Sequence, residues 1–184
     1  MEQNTLARII NHNGYRIEIH YDQYGGESPR DWDNAGTMAI YHRNYDFGDK
    51  LEFSNTDDLD EYLASGSVYA LPIYMYDHGG VTISTSPYSC GWDSGQVGYI
   101  YMTKEKAKAE GLANPLATME NEVATMDSYL RGEVYGFVVY DPEGQELDSC
   151  WGFIGDMKYC IEEAKSVADY HERTTPKQYE LALA

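Results

Sequence analysis

Cys90 stands in the segment YSCGWDSGQVGYIYM, residues 88–102, bracketed by glycines and followed closely by Trp92 and Asp93. A cysteine becomes a nucleophile when an imidazole takes its proton and a third group orients that base. His78, in the preceding turn DHGG, is the nearest histidine in sequence. A strand such as VTISTS carries the chain about 3.3 Å per residue away from that turn, so a meander places Cys90 and His78 at opposite ends of a sheet. The competing reading is a rigid structural loop. Ser89, Asp93 and Ser94 would satisfy backbone donors, Gly91 and Gly95 would permit sharp bends, and Cys90 and Trp92 would fill the end of the core. This second reading is preferred. No GxSxG, Walker A, HExxH or EF-hand pattern occurs in the chain, so an enzyme is the less favoured class and no catalytic residue is assigned.

Two other groups of residues carry ligand chemistry. Asp31, Asp33 and Asn34, with His42, Asp46 and Asp49 after the next apolar run, offer oxygen and imidazole donors to a divalent ion. Asp and Asn also close turns by bonding their own backbone, and Trp32 can plug such a loop onto the core, so turns are expected here and no metal. Arg16, Arg30 and Arg43 are the one group of arginines that could hold phosphates of a nucleotide. No cofactor is expected. The three cysteines, Cys90, Cys150 and Cys160, lack CxxC spacing and suggest neither a disulfide framework nor a zinc knuckle.

Charge narrows the classes further. Thirty-one Asp and Glu against thirteen Lys and Arg give a net charge of −18, which argues against direct gripping of a phosphate backbone. No lysine or arginine occurs between Lys50 and Lys104, whereas Glu52, Asp57, Asp58, Asp60, Glu61, Asp77 and Asp93 all fall inside that interval. Such a segment is either a solvated face or a surface built to meet a strongly basic partner. The start MEQNTLARII has no basic stretch leading into an apolar run, and no segment reaches the roughly twenty apolar residues of a membrane helix. A reduced, cytosolic chain without a membrane partner is expected.

These residues need a scaffold, and 184 residues with 42% hydrophobic content predict one domain over 1–184. Asn13-Gly14 signals a type I′ turn, and alternating Tyr15, Ile17, Ile19 and Tyr21 predict a half-buried strand after it. TMAIYHR reads as a strand. TDDLDEYLAS reads as a short helix with Asn55 or Thr56 at its cap, acids in its first turn and Gly66 beyond its end. SVYALPIYMY, VTISTS and VGYIYM predict a three-stranded meander. In NPLATMENEVATMDSYLRG, Asn114 caps, Pro115 opens the helix, and Leu116, Met119, Val123, Met126 and Leu130 form the packed face. A hairpin turned at residues 141–144 and a helix over about 156–171, with Cys160 on its apolar stripe, complete the chain. The fold class predicted is α+β, with a mixed or antiparallel sheet and helices packed against it.

Three segments carry a resemblance: SPRDWDNAGTMAIYHRNYDFGD, YDHGGVTISTSPYSCGWDSGQVGYIYMTKE and LRGEVYGFVVYDPEGQELDSCWGFIG. They are similar to segments of small acidic proteins encoded by bacteriophages and prophages. The resemblance implies a phage gene product in the cytoplasm of a bacterial host, and it brings no reaction or cofactor with it. Together with the charge, it leads to an expected function. The protein would bind and inhibit a host defence protein that holds nucleic acid in a basic channel, as a CRISPR effector or restriction enzyme does, by acidic mimicry. Asp57, Asp58, Asp60, Glu61 and Tyr62, with Trp32 and Trp92, are the residues expected to meet that partner. An enzyme or sponge acting on a nucleotide signal is the alternative, and an accessory subunit of phage DNA metabolism or assembly is a third.

Overall fold

The computed structural model describes residues 5–23, 26–50, 52–53 and 55–174. Among these the chain forms, in order, β1 (Leu6–His12), β2 (Tyr15–Tyr21), a 3-10 turn (Pro29–Asp31), β3 (Thr37–Ile40), α1 (Thr56–Ala64), β4 (Val68–Asp77) and β5 (Val81–Ser84). There follow β6 (Ser94–Thr103), α2 (Lys104–Ala109), α3 (Pro115–Leu130), β7 (Val134–Tyr140), β8 (Glu146–Ile154) and α4 (Met157–Thr174). The strands build two antiparallel sheets, ordered β1-β2-β7-β8 and β3-β6-β4-β5, with helices packed on them. The fold is therefore α+β, as the hairpin and helix signals predict. No helix among the described residues is long and apolar enough to cross a membrane. Contacts group the chain into two compact units, residues 1–26 with 132–184, and residues 27–131.

In the first unit, Asn13 and Gly14 both adopt positive φ, 51° and 87°, as the type I′ turn between β1 and β2 requires. Tyr15, Ile17 and Ile19 are buried on one face of β2. They meet Phe137 and Val139 of β7 and a stripe of α4 formed by Cys160, Ala164 and Ala168. The spacing of four puts these small side chains on one helix face, which lets α4 approach the sheet closely. Cys160 is fully buried, and burial pushes its thiol up to about 12, with Cys150 adding a smaller upward push. Cys150 is exposed. Native protein should therefore lose Cys150 rapidly to a thiol reagent, whereas Cys160 should react only on unfolding. Equal rates for the two would show that α4 does not shield its stripe.

In the second unit, alternation along β3 and β6 separates two cores. Met38, Ile40, Ile100 and Met102 join Met119, Val123 and Met126 of α3, while Ala39 and Tyr101 join Leu59 of α1. The sheet thus lies between α3 on one side and α1 on the other. Leu116, the first residue of the predicted α3 stripe, is instead 39% exposed. The expected meander is also corrected. β4 pairs with β5 over Tyr74–Asp77 only, but with β6 from Val68 to Tyr76. A strand has two edges, and β6 pairs along the edge of β4 that β5 leaves open. β5 and β6 therefore flank β4, and the segment 85–93 doubles back to the end from which β5 started.

Candidate interaction surface

α1 presents the acidic residues. Asn55 caps it by accepting from the Asp58 amide at 2.9 Å, and its Nδ2 donates to the Asp58 carboxylate at 2.9 Å. Leu59 is 1% exposed and seats the helix on Ala39 and Tyr101. Tyr62 packs against Phe53 and Tyr101, with ring centroids 5.2 and 5.7 Å apart. It is half-buried, so its ring serves chiefly to anchor α1. Asp57, Asp58, Asp60 and Glu61 are all exposed. The described ion pairs of Arg and Lys go to other acids: Arg16 to Glu18, Arg30 to Asp49 and Glu122, Lys106 to Glu110, Arg131 to Asp127, and Lys158 to Glu162.

The field of these carboxylates is felt underneath. The Tyr41 hydroxyl, which donates to the carbonyls of Phe53 and Asn55 at 3.4 Å, is shifted upward by burial and then by the charges of Asp58 and Asp60. Tyr101 is pushed up to about 12, by burial first and then by Glu52 and neighbouring groups. Its ionisation should be missing from a native spectrophotometric titration near pH 10. The unfolded chain releases this proton from its ordinary value of 10.0 upward, so stability is whole below pH 10 and falls as pH rises towards 12.

The loop carrying Cys90 and Trp92 lies where the meander reading did not place it. Because β6 starts beside the end of β4, the Asp77 amide donates to the Asp93 carbonyl at 2.9 Å. His78 Nδ1 and the Asp93 carboxylate are 3.2 Å apart. The two loops therefore share one end of the sheet, and the described ion pair of His78 is with Asp93. Trp92 is 96% exposed and fills no core, contrary to the expectation for this loop, and Cys90 is only partly buried. Tyr76 lies between His78 and Tyr88, with ring centroids 5.9 and 5.7 Å away. The Tyr45 hydroxyl donates to Asp77 at 2.7 Å, and the Tyr45 ring stacks on His42 at 5.2 Å.

Of the residues weighed as metal ligands, Asp49 is held by an arginine that the spacing does not mark as structural. The Arg30 side chain is 5% exposed and grips Asp49 through two bonds of 2.9 and 2.6 Å, Glu122 at 3.0 Å and the Gly36 carbonyl at 2.7 Å. Asp49 also accepts from the Met38 amide at 2.7 Å, and Glu122 from the Ala35 and Gly36 amides at 2.9 and 3.1 Å. Burial pulls against the Arg30 cation, but the hydrogen bonds and charges of the two acids outweigh it and raise its pKa. Asp49 is thereby committed, Asp31, Asp33 and Asp46 are exposed, and His42 stacks on Tyr45. No three His, Cys, Asp or Glu among the described residues converge to hold a metal ion.

Asn34 closes the loop as expected of an Asx residue, donating to the carbonyls of Pro29 and Trp32 at 2.8 and 2.9 Å. Pro29, not Trp32, plugs that loop into the core. Trp32 is 48% exposed and walls an open groove of about 380 Å³ beside Asn121 and Thr125 of α3. Of the arginines considered for phosphate, Arg30 is spent on two acids, and Arg16 lies over the Tyr140 ring and pairs with Glu18. Comparison with family models, with curated proteins and with solved structures returns no match to this chain.

Proposed function

We propose that this chain is a binding protein of a bacteriophage that inhibits a host nucleic-acid-handling defence machine, of the anti-CRISPR or anti-restriction type, by acidic mimicry. The observation that carries the reading is α1, where Asp57, Asp58, Asp60 and Glu61 stand exposed without a described cationic partner on a helix seated by Leu59 and Tyr62. Asp57, Asp60 and Glu61 fall at i, i+3 and i+4, about 5–6 Å apart, a spacing of the same order as that of phosphates along a strand. Like charges at these spacings cost an isolated helix about 0.2–0.5 kcal/mol per pair. Asp57 and Asp58 gain from the dipole of the first turn, whereas Asp60 and Glu61 lie beyond it and add repulsion without that return. A basic channel would convert the same repulsion into attraction.

The test is charge reversal at Asp57, Asp58, Asp60 and Glu61, each to lysine, read by competition. The native protein should displace duplex DNA from a purified CRISPR effector or restriction endonuclease in a mobility-shift assay, and displacement should weaken as salt rises. The lysine variant should lose at least about tenfold in potency while melting near the native temperature, since the changes are on an exposed face. Asp57→Asn with Asp58→Asn separates loss of charge from loss of the helix-start stabilisation. If the folded lysine variant competes as well as the native protein, the acidic helix is only a solvated face.

A further inference from the structure

We propose that the Trp92 loop is a second recognition point for the same kind of basic partner, and that it takes an arginine side chain on the indole face. This inference rests on the proposed function. Its basis is a side chain with no work inside the fold, carried by a loop that is fixed on both sides. Trp92 is 96% exposed, so it adds almost nothing to the core. Before it, the Tyr88 hydroxyl lies 3.4 Å from Thr82 Oγ1 and its ring packs near Tyr76. After it, Asp93 is held by the Asp77 amide and faces His78, and Ser94 Oγ donates to the Cys90 carbonyl. A large aromatic group on a pinned loop loses little freedom on binding, which is the property of an interface anchor.

The surroundings choose the occupant. Asp93 is the next residue, Asp77 is bonded to it through the backbone, and both are exposed. An aliphatic pocket closing over the indole would desolvate these carboxylates and leave Asp77 with the Tyr45 hydroxyl and Asp93 with His78 as their described side-chain partners. Nucleic acid could stack a base on the ring, but its phosphates would meet the two acids and a chain of net charge −18. A second copy would bring the same acids together. A guanidinium satisfies both features at once, lying flat on the indole while its N–H groups reach a carboxylate. Lysine offers the same charge but neither the plane nor the fork, so the site should prefer arginine over lysine.

The experiment uses the indole N–H signals of the three tryptophans in a two-dimensional ¹⁵N–¹H spectrum, with Trp92 assigned through Trp92→Phe. Octa-arginine and octa-lysine are titrated at equal ionic strength. The Trp92 signal should move most, and octa-arginine should bind about fivefold more tightly than octa-lysine. Trp92→Leu should remove that preference at an unchanged melting temperature. Equal affinities for the two peptides, or a still Trp92 signal, overturn the proposal. The α1 lysine variant keeps the two readings apart. If it weakens both peptides while the native protein shows no arginine preference, the acidic helix stands and the Trp92 site falls. If it weakens neither while Trp92 still selects arginine, the acidic helix falls and the Trp92 site stands.

Discussion

Arg30→Met is expected to destabilise residues 27–131 by about 3–5 kcal/mol, because it breaks a buried charge cluster from one side only. Asp49 and Glu122, 23% and 13% exposed in their side chains, would face each other without the guanidinium that separates them. At the low end of a typical total stability of about 5–15 kcal/mol, that is enough to populate unfolded chains at room temperature. Arg30→Lys should recover little, since one ammonium cannot make the paired bonds to Asp49 while reaching Glu122 and the Gly36 carbonyl. Adding Asp49→Asn and Glu122→Gln to Arg30→Met should restore part of the loss by removing the stranded charges. Denaturant unfolding measures each step, and a loss below about 1 kcal/mol for Arg30→Met would show that the cluster is solvated. Calorimetry of the same variant bears on the single domain expected over 1–184. One transition moving as a whole would mark a cooperative chain, and a transition retained at the native temperature would belong to the other unit.

Gly98→Ala should cost about 3 kcal/mol, the upper end for forcing extra volume into a packed site. A Cβ at Gly98 would stand 1.9 Å from the Ala39 carbonyl oxygen and 3.1 Å from the Ile40 Cα. These are backbone atoms of β3, so no side-chain rotation relieves the clash, and β3 has to peel from β6. Met38 and Ile40, at 0% and 6% exposure, would be uncovered with it. Gly95→Ala in the same strand is the control, because nothing lies within 4 Å of its Cβ. That change should stay within about 0.5 kcal/mol. Equal melting temperatures for the two variants would mean that β3 does not pack as closely on β6 as the structure has it.

Features written in neighbouring residues were legible before any coordinates. Asn13-Gly14, the Asn55 and Asn114 caps, Pro115 at the start of α3 and the Cys160 stripe each depend on contacts within a turn or two. So does the acidity of α1, since four carboxylates flank Leu59, the one fully buried side chain of that helix. Backbone stereochemistry and helical period act over a few residues, and a sequence displays them directly.

Pairing across long separations was decided only by the tertiary structure. Arg30 meets Glu122 across 92 residues, and no local pattern distinguishes it from an arginine waiting for a phosphate. The order β3-β6-β4-β5 puts β5 and β6 on opposite edges of β4, and this pairing returns the Trp92 loop to the His78 turn. The residues around Trp92 fit both a core plug and a partner contact, and its exposure of 96% rules out the plug, because the tendency of tryptophan to be covered is statistical and one surface loop need not obey it. The sequence by itself determined which segments are strands, helices and turns, and that the charge would be strongly negative, because those properties sum over neighbours. The tertiary structure decided which cation is neutralised, which aromatic ring reaches solvent and which loops share an end of the sheet, because those depend on which distant segments pair.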